Sequence, residues 1–398
     1  MNILAKSCKV NKNRIFDDSD LSKINSFIII DGGKRKIRNN DIEYNFRQDS
    51  SFYWLTGINE PDYKLAINCF QKKLIIVPPI FNETYLIWNG KMPDFKTMKN
   101  TFEFEDIVFD LSDLEVDVKN LEKNKELLIK KIEEFRVIKN KYELKIIESA
   151  CKNSQSIHET IKNSIVTYTG NIEKIIEKQF IFFTESLKNV TGQAYSPICA
   201  AGKNSSVLHY TKNTSELNFG ELFLLDAGCE VLNYASDITR TFGIGLLNEY
   251  QSKIIDIVSN INEKCKNMVQ TNVYFGDIYI ECMELIYQAI LSLNIIKDEH
   301  KDKKNLITEI FMPHGLGHFI GLDVHDVGGK LYDKKTGDSI LLKENMVITI
   351  EPGIYFNEYL LRKNSELWTE EIKNYENIGG VRIEDVLVVK KDEYEQLN

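Results

Sequence analysis

Residues 311–326 read Phe-Met-Pro-His-Gly-Leu-Gly-His-Phe-Ile-Gly-Leu-Asp-Val-His-Asp, and three of the chain's six histidines, His314, His318 and His325, fall within them. On a helix, His314 and His318 would share a face, but Gly315 and Gly317 lie between them and helices disfavour glycine. An extended or looped backbone is therefore expected, with Gly315, Gly317 and Gly321 letting the main chain pass close to another group. A single histidine is more often a packed or solvated structural residue. Three of them among three glycines and two acids point to a catalytic or metal site.

The surrounding sequence extends this pattern. The apolar run Leu222-Phe-Leu-Leu stops at Asp226-Ala-Gly, and the chain returns through Tyr234-Ala-Ser-Asp237-Ile-Thr-Arg-Thr-Phe. Paired as a hairpin, these runs set two carboxylates near one end of adjacent strands. Downstream, Met346-Val-Ile-Thr-Ile stops at Glu351-Pro-Gly. The final strand is expected to run through Val381-Arg-Ile-Glu384-Asp-Val-Leu-Val-Val, with alternation placing Arg382 and Glu384 on one face. An acid that ends a buried strand and is followed by a small residue and glycine thus occurs twice, a short echo suggestive of two related halves.

Composition narrows the partners. The 398 residues are 43% hydrophobic, ample for a large core in two or three domains. Acids outnumber bases by 59 − 50 = 9 and no basic patch stands out, which argues against nucleic acid. The seven cysteines are scattered without a CxxC pair, which argues against a disulfide framework and a thiolate zinc site. No apolar run is long enough for a membrane span or signal peptide, so a cytoplasmic protein without a membrane partner is expected.

Along the chain, residues 1–26 are polar and lysine-rich and are expected to be loosely held. The runs starting at Phe27, Phe52, Leu65 and Leu74 have the strand signature. A surface helix between about Leu111 and Phe135 completes a mixed α/β domain over residues 1–139. From Lys141 a long amphipathic helix begins, with Leu144, Ile147, Cys151, Ser154, Ile157, Ile161 and Ile165 in one stripe, and His158 beside it reads as structural. Further helices near residues 171–187, 248–269 and 276–293 should cover a curved sheet, giving an α+β second domain over 140–398.

Asp226, Asp237, Glu351, Glu384 and His318 make four carboxylates and one imidazole at the edges of apolar runs, where an unpaired charge costs several kcal/mol. Arg382 alone does not neutralise four carboxylates, whereas two divalent cations do. The oxygen-rich set with one nitrogen suits Mn²⁺, with Co²⁺, Zn²⁺ or Fe²⁺ as alternatives. Two ions about 3.5–4 Å apart would hold a bridging water and generate hydroxide at neutral pH. His209, His314 and His325 are then left to donate to a developing oxyanion or hold a substrate.

These residues carry a family resemblance. Met312-Pro-His-Gly-Leu-Gly-His-Phe-Ile-Gly-Leu-Asp-Val-His-Asp-Val-Gly-Gly, Thr349-Ile-Glu-Pro-Gly-Ile-Tyr-Phe, Gly379-Gly-Val-Arg-Ile-Glu-Asp and Ala235-Ser-Asp-Ile-Thr-Arg-Thr-Phe resemble the dinuclear-metal peptidases of the pita-bread fold. More narrowly they resemble prolidase (Xaa-Pro dipeptidase) and aminopeptidase P. Phe46-Arg-Gln-Asp-Ser-Ser-Phe-Tyr-Trp-Leu-Thr-Gly-Ile-Asn-Glu-Pro is similar to the N-terminal domain of both. The resemblance implies Asp226 and Asp237 on one metal, His318 on the other, Glu351 and Glu384 completing the pair, Asp237 and Glu384 bridging, and a hydroxide between the ions. It implies His209 and His325 at the substrate, His325 near the scissile carbonyl, and Glu351 as acceptor of the water's proton. Arg382 resembles an arginine tied to a metal carboxylate and to a tyrosine matching Tyr355. Trp88, which by itself reads as a cap on its own domain in an otherwise polar turn, Tyr85-Leu-Ile-Trp-Asn-Gly-Lys, matches a tryptophan that prolidases lend across a homodimer interface.

The prolidase form of the histidine motif and the long segment Asn357–Ile378 favour a dipeptidase cutting Xaa-Pro. Against it, prolidases resemble each other in an arginine that grips the dipeptide's carboxylate, and the corresponding loop here, Lys334-Lys-Thr-Gly-Asp-Ser-Ile, has none. Lys334, Lys335 or Arg362 is the available substitute. The alternative is an Xaa-Pro aminopeptidase acting on longer peptides. More distant are methionyl aminopeptidases, creatinase-like enzymes and a non-catalytic pita-bread binding protein, which would be expected to have lost ligands that this chain keeps.

Overall fold

The computed structural model describes residues 2–112 and 114–398, and the chain divides into two compact units, Met1–Glu143 and Leu144–Asn398. In the first, Ile28–Asp31, Lys64–Asn68, Lys73–Val77 and Asp106–Ile107 form a mixed sheet in that order, antiparallel except for the last pair. The runs at Phe27, Leu65 and Leu74 are therefore strands, and the helix expected before Phe135 spans Leu121–Val137 with Leu128 and Ile132 buried.

Three expectations fail in this unit. The Phe52 run is a helix, Ser50–Thr56, because the Asp49 side chain accepts from Phe52 N at its start and Gly57, in the left-handed region at φ 67°, ends it. Every residue of that helix is buried, which erases the one-sided periodicity that identifies a helix. The N-terminus is not loose: Ile3–Phe16 is a helix capped by the Asn2 side chain, with Leu4, Cys8 and Ile15 buried. Its polar residues are what hold it. Lys12 Nζ donates to the carbonyls of Phe102 and Glu103 at 2.6 and 2.9 Å, and Asn11 Nδ2 donates to Trp54 O at 3.0 Å. Trp88 sits on a short helix, Glu83–Asn89, and not in a turn.

The helix Lys141–Ser164 carries the expected stripe, with Ile147, Cys151, Ser154 and Ile161 buried, and Ile165, in the 3-10 turn just past its end, is buried too. His158 Nε2 meets Ala227 O at 2.8 Å and the ring is buried, as a structural histidine should be. The hairpin forms: Leu222–Asp226 pairs antiparallel with Thr239–Gly243, Asp226 opposite Thr239, and Ile198–Ala201 adds a third strand. Val347–Ile350 pairs with Asp385–Val389 in the same sense, Ile350 opposite Asp385. Both pairs thus carry one acid at or just past the end of the first strand and another just before the second, so the echo in sequence has a counterpart in register. Helices Glu249–Lys266 and Phe275–Ser292 bury apolar stripes through Ile254, Val258, Ile278 and Ile286.

The single final strand expected from Val381 is two. Gly380–Arg382 pairs with Gly353–Tyr355, whereas Asp385–Val389 pairs with Val347–Ile350. Between them Glu384 N donates to Thr239 O at 3.0 Å, so the chain leaves one partner and crosses to the strand that follows Asp237. The histidine stretch runs without regular structure beside Val347–Ile350, with Thr349 N donating to His318 O at 2.9 Å. There a Cβ on Gly317 would lie 2.0 Å from Thr349 O, so glycine is required by that close approach, while Gly315 has open space around it.

Candidate metal centre

These strand ends and the histidine stretch open onto a cavity of about 520 Å³ within the second unit. Asp226, Asp237, His318, Glu351 and Glu384 line it, together with His209, His314, His325 and Arg382. His318 Nε2 lies 3.3 Å from Asp237 Oδ2 and 3.9 Å from both Glu351 Oε1 and Glu384 Oε1. Its Nδ1 is 2.9 Å from Phe319 O, a bond that, with Nδ1–H donating, turns Nε2 toward the carboxylates.

The charge balance is severe. Burial raises Asp226, Glu351 and Glu384, Glu351 to about 7 and Glu384 well beyond its ordinary range. Asp237 is held below its usual value despite burial because His318 and Tyr195 bond to it. Burial works against the charged form of His318, but the bond to Asp237 prevails and raises it to about 9. Four carboxylates thus share one histidine and one guanidinium, an arrangement that calls for added positive charge.

The donors fit metal ions. Three groups, Asp226/Asp237/Glu384, His318/Glu351/Glu384 and Asp237/His318/His325, each bring ligand atoms within 4.8 Å of one another. Asp237, His318 and Glu384 each belong to two groups, and of these only the two carboxylates have a second oxygen to offer a neighbouring ion. His325, expected only at the substrate, is also within reach of a cation, its ring centroid 4.2 Å from that of His318.

Behind the ligands lies a continuous hydrogen-bonded support. Arg382 Nη2 donates to Asp226 Oδ2, Nη1 to Tyr355 OH at 3.0 Å and Nε to Thr239 Oγ1 at 3.2 Å. Thr239 Oγ1 in turn donates to Glu384 Oε2 at 2.7 Å. His314 Nε2 is 2.9 Å from Tyr355 OH and Nδ1 is 2.7 Å from Gly315 O. Burial, with Arg382 nearby, pulls His314 down to about 3, so its ring is neutral, and both its nitrogens have partners.

The sequence profile of metallopeptidase family M24 matches residues 145–391, and that of the aminopeptidase P N-terminal domain matches residues 10–129. The chain belongs to metallopeptidase family M24. Divalent metal ions are part of that family's chemistry, and this M24 chain holds donors suited to them. Among its relatives, an uncharacterized peptidase of Saccharomyces cerevisiae is 30% identical over 442 residues, covering 100% of this chain and 80% of that protein. A "probable Xaa-Pro aminopeptidase" of Tuber melanosporum is 31% identical over 396 residues, covering 90% and 85%. Among solved structures, aminopeptidase P from E. coli with the inhibitor Pro-Leu superposes with a TM-score of 0.81 at 24% identity, covering 99% of this chain and 94% of that one. The M24 unit therefore has the pita-bread architecture, preceded by an aminopeptidase P-type N-terminal domain.

Trp88 lies in the first unit, 74% exposed. One residue of the site escaped the sequence. Tyr195 OH lies 2.7 Å from Asp226 Oδ1 and 2.6 Å from Asp237 Oδ1, holding two carboxylates with one hydroxyl. Only the Ser196-Pro197 that follows marks the place as a loop. A lone tyrosine before it has no spacing to read.

Proposed function

We propose that this peptidase is an Xaa-Pro aminopeptidase, releasing the N-terminal residue from peptides that have proline second and at least one residue beyond it. The observation that carries this choice is the cavity's cations. Among the described lining residues Arg382 is the only lysine or arginine, and each of its three nitrogens already donates, to Asp226, Tyr355 and Thr239. Lys334, one candidate clamp, does not line the cavity and donates from Nζ to His314 O at 3.1 Å. A dipeptide's carboxylate therefore finds no ready bidentate partner, which weighs against the dipeptidase reading. The names of the fungal relatives point the same way.

In this reading Asp226, Asp237, His318, Glu351 and Glu384 would hold two divalent ions, for which the oxygen-rich set prefers Mn²⁺. Such ions, when bound, would supply polarisation of a carbonyl and a lowered pKa for water. Glu351 takes the water's proton. His325, at the cavity rim, donates to the oxygen of the scissile carbonyl as negative charge develops there. His209, also in the cavity lining, holds the peptide, and Arg382 with Tyr355 fixes the orientation of Asp226 and of the His314 ring. Such a site suits an Xaa-Pro bond, a tertiary amide with no N–H to grip, because recognition rests on the carbonyl and the free amine.

We further propose a homodimer in which Trp88 approaches the partner's site. The exposure of Ile80, Ile87 and Trp88 supports an interface there. Seven buried free thiols suit a reducing, cytoplasmic setting, and among the described residues no helix is long and apolar enough to cross a membrane. The deciding experiment compares kcat/KM for Gly-Pro and Gly-Pro-Ala with Mn²⁺ present. The tripeptide should be favoured at least tenfold. Preference for the dipeptide would reinstate the dipeptidase, and cleavage of neither would leave a binding protein.

A further inference from the structure

Asp226 and Asp237 belong to one hairpin, and the back of that hairpin meets the helix Lys141–Ser164. From Leu222 to Gly243 its two arms keep a single register: Asp226 is opposite Thr239 and Glu230 opposite Ala235, which sets Asp237 opposite Gly228. Successive residues alternate between faces. Asp226 and Asp237 therefore look one way, into the cavity, and Ala227, Cys229 and Ser236 look the other way, toward the helix.

At the level of Asp237 the ladder opens. A regular antiparallel ladder would join Ala227 to Ile238 and Cys229 to Ser236 by two bonds each. Ala227 N donates to Ile238 O at 3.1 Å and Ser236 N to Cys229 O at 3.0 Å, and these are the bonds on the sides away from Asp237. The two groups on the near sides, Ala227 O and Cys229 N, turn to the helix instead. His158 Nε2 lies 2.8 Å from Ala227 O, and since a carbonyl only accepts, the ring donates. Cys229 N donates to Ser154 Oγ at 3.1 Å, sharing its proton with Ser236 Oγ, which lies 2.8 Å from Ser154 Oγ.

Ser154 and His158 are one turn apart on the helix, both buried, among Ile147, Cys151, Ile157 and Ile161. An apolar residue would pack on that stripe without a polar group to satisfy. His158 instead leaves Nδ1 buried with no partner among the described residues, a cost that its bond to Ala227 has to justify.

We infer that Ser154 and His158 are positioning residues for the metal centre, holding the hairpin open behind Asp237 and so setting its carboxylate relative to that of Asp226. Neither lines the cavity. Without them the near-side bonds of the ladder can close, the backbone at Asp237 turns with them, and the carboxylate leaves the place where it meets His318 and Tyr195. The inference rests on the metal reading above and adds to it what sets the spacing of two ligands.

The test uses the full chain, freed of metal by chelation. Mn²⁺ is titrated back by calorimetry, the visible spectrum of the Co²⁺ form is recorded, and kcat and KM are measured on Gly-Pro-Ala. His158→Phe keeps a ring and removes the donor, His158→Gln returns an N–H at the same reach, and Ser154→Ala removes the hydroxyl. In His158→Phe, Mn²⁺ affinity or kcat should fall about tenfold or more with KM little changed, and the Co²⁺ bands should shift. Ser154→Ala should move the same readouts in the same direction, and His158→Gln should recover most of the loss. Should His158→Phe fail to fold, Ser154→Ala decides by the same readouts. Variants that lose thermal stability but keep wild-type Mn²⁺ affinity and Co²⁺ bands would reduce both residues to packing and overturn the inference, as would a His158→Gln no better than His158→Phe. A wild type that takes up no ion overturns the metal reading and this inference with it, whereas variants that match a metal-binding wild type overturn this inference alone.

Discussion

Tyr195 sets one hydroxyl between Asp226 and Asp237, and among the described residues neither carboxylate has another neutral donor of comparable closeness. Tyr195→Phe should keep the fold and the metal ligands but let both aspartates reorient. Supports of this kind typically contribute ~10–100-fold in metal affinity or activity, so a drop of about tenfold or more in kcat or in Mn²⁺ affinity is expected by titration, and wild-type values in both would refute the role. The histidines separate by a different measurement. Exposed His325 at the rim should, as alanine, leave about two metal ions bound while kcat falls ~10²-fold or more, whereas His318→Ala should lose metal. The structure sharpens this contrast, because His325 also lies within reach of a cation with Asp237 and His318. Metal loss in His325→Ala would move it among the ligands. The sequence reveals the ligands because each acid interrupts or follows an apolar run, a costly place for a bare charge. It hides Tyr195 because a phenol is at home in any loop.

Single elements follow the same division between patterned and unpatterned signals. Helices with one buried stripe, such as Lys141–Ser164, are legible from period alone. The short Ser50–Thr56 helix is not, since all its faces are buried and its aromatic residues equally favour strands. Its caps, Asp49 and Gly57, were the readable clue. The N-terminal helix was hidden for another reason: Asn11 and Lys12 are buried against backbone carbonyls of distant segments, which no local pattern announces. Asn140 ties these elements together. Its Oδ1 accepts from Tyr142 N and Glu143 N, Glu143 Oε2 accepts from Asn140 N at 2.7 Å, and its Nδ2 donates to Ser7 Oγ and Asn11 Oδ1. Asn140→Ala removes a cap worth ~1 kcal/mol and strands buried partners at a further ~1 kcal/mol or more. A loss of about 2–3 kcal/mol in urea unfolding is expected, with Asn140→Asp intermediate because it keeps the cap acceptor and loses the donor. No change in midpoint for Asn140→Ala would show that these bonds are replaced by water.

At the scale of the whole molecule, assembly and metal are the two properties a single chain leaves to experiment. If Trp88 serves a partner's site, light scattering should give a dimer, and Trp88→Ala should raise KM more than it lowers thermal stability; a fully active monomer would contradict this. The metal argument is stronger because it follows from charge. Asp226, Asp237, Glu351 and Glu384 share one cavity with Arg382 as their permanent cation, and every one of them belongs to the second unit. Ions that bind only the folded state stabilise it by about 2.7 kcal/mol at a hundred times their dissociation constant. For a unit of this size that corresponds to a rise of about 5–10 °C in Tm. Chelation should therefore abolish activity and lower Tm by that order, and Mn²⁺ should restore both at about two ions per chain. The added protection from hydrogen exchange should concentrate in Leu222–Asp226, Thr239–Gly243 and Val347–Ile350, whose ends carry or adjoin the ligands, and not in the strands of the first unit. Active protein that holds no metal by elemental analysis, or a Tm indifferent to chelation, would mean that the four carboxylates are neutralised by protons and that the dinuclear site is wrong.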